Sequence, residues 1–106
     1  MIVAVASNQK SIDSKIDGCF GKARYIFMAD TDTRIVKIID NSSFANLKSG
    51  SGIKTAEMLL KLKIQKLAVK EIGEEASEIL KNGNIEVFSN CSGTVRDILD
   101  YFALSK

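Results

Sequence analysis

The first hydrophobic run, "IVAVAS" at residues 2–7, is continuous rather than alternating and ends in a small polar residue. That is the pattern of a strand buried on both faces of a sheet. "RYIFMAD" and "RIVKIID" are strand-like, with "TDT" between them as turn chemistry, and the three together predict an antiparallel hairpin. "NSSFANLKSGSG" reads as a polar, Gly/Ser-rich loop. Beyond it Ile53, Ala56, Leu59 and Leu60 recur at helical spacing, and "KLAV" is a short buried strand. "GEEASEILKNG" has acidic residues in its first turn, Ile79 and Leu80 on one face, and Asn82-Gly83 as a stop, which predicts a helix. "IEVFS" is a last strand. "TVRDILDYF" closes the chain as a helix, with Val95, Ile98, Leu99 and Phe102 along one side and Thr94 as its N-cap.

The order of elements is β, β, β, α, β, α, β, α. Parallel crossovers are right-handed, and a hairpin of this kind pairs at a strand edge. Both rules are met by a mixed five-stranded α/β sheet in the order 3-2-1-4-5, with the second strand antiparallel and three helices. This is a compact ribonuclease H-like motif occupying residues 1–106 as one domain. Strands 1, 3, 4 and 5 then share one C-terminal rim, where open α/β sheets tend to bind ligands. The loop holding Cys19, "SGSG" at residues 49–52, "KEIG" after strand 4 and "SNCSG" with Cys91 all map to that rim.

Composition narrows the function classes. The net charge of +2, the scattered lysines and the few aromatics do not form a nucleic-acid footprint. The N-terminal apolar run is too short for a membrane span and lacks a basic leader, so the expected compartment is the cytoplasm. Two cysteines without a CxxC pair read as reduced thiols. With no histidine in the chain, metal chemistry must use sulfur or oxygen. Asp13, Asp17 and Asp30 raise the question of a two-metal nuclease. The topology sends Asp30 to the opposite rim, and the first strand carries no acid.

"DGCFGKARY" at residues 17–25 sets Cys19 between a glycine turn and two cations, Lys22 and Arg24. A small buried hydrophobe and a thiolate ligand are both open readings of Cys19. Cys91 precedes a helix and reads as a small turn residue or as a second ligand. Its strand lies three spacings from strand 2, on the order of 14 Å, so a shared site requires the loops to fold inward. Ser49, Gly50, Ser51 and Gly52 read either as a flexible lead into a helix or as an anion cradle with Ser49 or Ser51 capping the helix. The stretch is not a P-loop.

Taken with "MIVAVAS", "DSKIDGCFGKARYIFMAD", "GSGIKTAEML", "EIGEEASEILKNGNIEVF" and "GTVRDIL", the chain resembles the dinitrogenase iron–molybdenum cofactor biosynthesis family, the NifX-like nitrogenase accessory domains, over nearly its whole length. Ser14, Phe20, Gly21 and Tyr25 match the family's first motif. Lys22 stands for an arginine, and Cys19 stands where the family usually has histidine. The "TGNIGP" typical after strand 4 is here "VKEIGE". The resemblance implies a non-enzymatic carrier for an anionic iron–sulfur or iron–molybdenum cofactor precursor. On that reading Cys19, and conditionally Cys91, are metal ligands, while Lys22, Arg24 and the backbone of Ser49 to Gly52 complement the charge. Its implied partners are metallocluster donor and acceptor proteins, with the chain itself a monomer or a weak homo-oligomer. Two alternatives stand beside it: a regulatory or interaction domain of the same fold that no longer binds clusters, and a small phosphate- or nucleotide-binding module.

Overall fold

Val3 to Ala6 are all buried because of where their strand lies. β1 (Ile2–Ser7) is paired with antiparallel β2 (Tyr25–Asp30) on one side and with parallel β4 (Lys66–Ala68) on the other. β3 (Val36–Asp40) and β5 (Glu86–Phe88) are the edges, giving the order 3-2-1-4-5 that the sequence predicts. The structure, a computed structural model, describes residues 1–16 and 18–104.

Pleating divides the core between two faces. Ala4, Ala6 and Ile26 join one cluster with Leu59, Leu67 and Leu80, while Val3, Val5 and Phe27 join another with Val95 and Phe102. The first face is covered by α2 (Ser51–Lys61) and α3 (Glu74–Asn82), the second by α4 (Val95–Leu104). Handedness accounts for this division. The connections β3–α2–β4 and β4–α3–β5 step across the sheet in the same direction, so right-handed crossovers lay both helices on the same face. α4 makes no crossover and turns back over the bare side. Burying each of the large side chains contributes about 1.5–3 kcal/mol, and truncating Leu59 or Leu67 to Ala would cost about 2–5 kcal/mol.

The short connections carry their own chemistry. In the β2–β3 turn, Asp30 Oδ1 accepts from Asp32 N at 2.8 Å and from Thr33 N at 3.4 Å, a side-chain substitute for backbone turn bonds. At the start of α4, Asp97 N donates to Thr94 Oγ1 at 3.1 Å and Thr94 N donates to Asp97 Oδ2 at 3.0 Å. This is the predicted cap, made reciprocal.

One segment differs from the sequence reading. Within the polar loop before α2 lies a single turn of helix, α1 (Ser42–Ala45). Asn41, just before it, is buried, and its Nδ2 donates to Ala23 O at 3.0 Å and to Thr55 Oγ1 at 3.1 Å. Polar composition predicts exposure. Here the amide is instead consumed in tying the end of β3 to α2 and to the segment just before β2, which satisfies its cost of burial.

Candidate functional site

After β1 the chain first runs along the start of α4, where Ile16 N donates to Gly93 O and Val95 N to Ser14 O, each at 2.9 Å. It then crosses the rim to the α2/α3 face. There Phe20–Lys22 make a 3-10 turn preceded by extended Cys19. Phe20 is buried in the core and its N–H donates to Glu71 O at 2.8 Å, while Cys19 bridges Glu71 in parallel fashion. Anchored on Phe20, the turn leaves Cys19 an exposed free thiol. Gly21 is buried against the first turn of α2, where a Cβ would collide with the backbone N and Cα of Gly52. Only glycine permits so close an approach.

That approach builds a cavity of about 470 Å³, lined by Cys19, Gly50 to Gly52, Gly73, Glu74 and Glu75 among others. Two helices begin on it. α2 has Gly50 as its N-cap, at φ 78°, and α3 has Gly73; neither has a side-chain cap. The two starts are adjacent, since a Cβ on Gly52 would lie 3.4 Å from Ala76 Cβ. Uncapped first turns leave backbone N–H groups without intrahelical partners, and the macrodipoles add partial positive charge there. The expected serine cap does not form. Gly50, which adopts a left-handed conformation freely, takes the cap position, and Ser51 becomes the first helical residue. Ser51 is only 7% exposed, lines the cavity, and its hydroxyl has no partner among the described residues.

The sequence-predicted residues divide sharply. Cys19, Lys22, Gly50, Ser51 and Gly52 line this cavity, but Ser49 and Arg24 do not. Lys22 is also largely engaged, its Nζ donating to Leu47 O at 2.6 Å and to Ala45 O at 3.4 Å at the end of α1. The Arg24 guanidinium lies over the Tyr25 ring at 5.6 Å. Cys91 lines a different cavity of about 480 Å³, with Phe88, Ile98, Tyr101 and Phe102 under α4. Its Sγ donates to Phe88 O at 3.3 Å, and burial pushes its pKa up, against a smaller lowering by the Val69 backbone bond. Of the three acids considered for a nuclease, Asp13 pairs with Arg96 at 2.8 Å and Asp30 lies 3.8 Å from the N-terminal ammonium. Asp17 lies outside the described residues.

Sequence reasoning missed Glu74 and Glu75 as cavity walls. They were legible only as first-turn acids of α3, since nothing local says that this turn faces Cys19. Among the described residues no group of three His, Cys, Asp or Glu side chains is arranged to hold a metal ion. One thiol, a hydroxyl and many backbone donors suit a preassembled cargo that presents sulfur or oxygen acceptors, rather than a bare ion that the protein must coordinate fully.

No curated protein shows significant similarity to the chain. Among solved structures, the apo form of the orange protein from Desulfovibrio gigas is 27% identical, with a TM-score of 0.90 over 98% of this chain and 88% of that one. A DUF35-family protein from Thermotoga is also 27% identical, with a TM-score of 0.81 over 97% of this chain and 87% of that one. A Methanocaldococcus jannaschii protein shares the fold at 20% identity and a TM-score of 0.63, over 96% and 88% of the respective chains. No helix among the described residues is long and apolar enough to cross a membrane. The family described as dinitrogenase iron-molybdenum cofactor matches residues 1–104, and the chain belongs to that family.

Proposed function

We propose that the protein is a non-enzymatic carrier for an iron–sulfur or iron–molybdenum cofactor precursor, taken from one metallocluster assembly protein and handed to another in the cytoplasm. One observation carries this reading: in a member of this family, an exposed thiol and two uncapped helix starts open on the same cavity. Cys19 supplies a soft ligand for iron. The first-turn amides of α2 and α3 and the Ser51 hydroxyl donate to the sulfide or oxo face of the cargo. With a single thiolate and otherwise hydrogen bonds, the complex is labile, which suits transfer rather than storage. Cys91, at the other cavity, takes no part.

The test is an anaerobic titration with an iron–sulfur cluster precursor, read by visible absorption, on the parent protein and on Cys19→Ser. Saturable binding that weakens at least tenfold in the variant is the expected result. Equal binding by both proteins would remove Cys19 as a ligand. Absence of binding, with thermal stabilisation by inorganic phosphate instead, would favour a phosphate-binding module using the helix starts alone.

A further inference from the structure

The walls of the Cys19 cavity carry more negative than positive side-chain charge, which is unexpected for a site receiving an anionic cargo. Glu74 and Glu75 are exposed residues on its rim, in the first turn of α3. Against them stands Lys22, whose ammonium is already held by the Leu47 and Ala45 carbonyls. Neither glutamate makes a salt bridge among the described residues, whereas Lys54–Glu57 and Lys66–Glu86 do. The acceptors of a cargo are therefore drawn in by amides and by the cavity-lining Ser51 hydroxyl, which has no partner among the described residues, while its net charge is opposed by two carboxylates.

We propose that Glu74 and Glu75 are the charge-selecting residues of this cavity. They admit metal–sulfur species of low net negative charge and reject polyanionic ones of the same size. The inference rests on the carrier reading for what the cargo is, and on the cavity alone for the sign of the selection.

Cys19 itself reports the local potential. In a Cys91→Ser background it is the one thiol left. Its sulfur displaces iodide from iodoacetamide, which is neutral, or from iodoacetate, which is an anion. The ratio of the two rates cancels any change in the thiolate fraction and leaves the work of bringing a negative charge to the cavity. Coulomb's law gives on the order of threefold per carboxylate for charges about 7 Å apart in water at low salt. The iodoacetate-to-iodoacetamide ratio is expected to rise roughly three- to tenfold in E74Q/E75Q, by part of that in each single variant, and to converge with the parent in about 1 M salt, where the Debye length is about 3 Å. E78Q, on the same helix but not lining the cavity, leaves the ratio within about 1.5-fold of the parent, as a more distant screened charge should. An unchanged ratio in the double variant, or an equal rise in E78Q, overturns the proposal. The cluster titration separates the two readings: if no cluster binds but the ratio still rises, the carrier reading fails and the charge selection stands.

Discussion

At Gly21 the polypeptide passes so close to the start of α2 that hydrogen is the largest side chain the contact accepts. The atoms a Cβ would strike are backbone atoms of Gly52 and Ser51, which cannot swing aside as a side-chain tip can. Gly21→Ala must therefore push the Cys19 turn away from α2, at a cost of about 2–3 kcal/mol. The expected outcome is a fall in melting temperature of roughly 10 °C or more, together with weaker cluster binding, because the turn carries one wall of the cavity. A variant as stable as the parent would show that the turn and the helix are not in contact in solution. The sequence marks Gly21 as a turn residue beside Cys19, but not as the point where two segments thirty residues apart touch. Lys22 teaches the same lesson. Its charge is plain in the sequence and its partners are not, because they are carbonyls at and just beyond the end of a helical turn that composition does not reveal.

At the scale of elements, periodicity was enough to place all five strands and the three long helices, and the handedness rule was enough to order them. What it could not supply was α1. Four residues offer no period to read, and the turn persists because Asn41 is buried beneath it and Lys22 bonds the Ala45 carbonyl at its end and the Leu47 carbonyl just beyond. β3 presents the opposite case, a strand whose pattern is legible and whose exposure is not. Ile35 is 59% and Ile38 40% exposed, although Ile39 on the same strand packs against the α2/α3 core. Ile35 O accepts from Asp30 N and Asn41 N donates to Arg24 O. By antiparallel alternation the N–H and C=O groups of Val36, Ile38 and Asp40 therefore point outward. Such an edge is a template for another strand, and a lysine in its middle is a usual defence. Lys37 holds that place. Lys37→Val is expected to raise self-association, seen as a shift to larger species in sedimentation velocity, with little change in the unfolding midpoint of dilute protein. A variant that sediments like the parent at every concentration would mean that strand twist, not the lysine, keeps the edge solitary.

For the molecule as a whole, the sheet is a partition, and the two thiols lie on its opposite sides. The sequence brings Cys19 and Cys91 to one rim, and so they are. It does not say that the β1 loop crosses from the α4 side to the α2/α3 side before reaching Cys19, while the Cys91 loop folds under α4. The consequence is a thiol whose pKa burial pushes up and whose Sγ donates to the Phe88 carbonyl, on the other side of the sheet from the Cys19 cavity. Its folded pKa is raised above the ordinary value of 9.0. In the unfolded chain Cys91 loses its proton first, so between the two values the native state binds more protons and stability falls as pH rises. The contribution is fully present below pH 9.0 and is lost on going upward through the folded value. Urea unfolding of the parent and of Cys91→Ala at intervals from neutral pH into the alkaline range isolates this group, because the two proteins differ only at this position. The parent is expected to be the more stable near neutrality and to lose that advantage above pH 9.0. Parallel curves would mean that the Cys91 thiolate is as well solvated in the folded protein as in the unfolded chain, so that burial under α4 does not act on it.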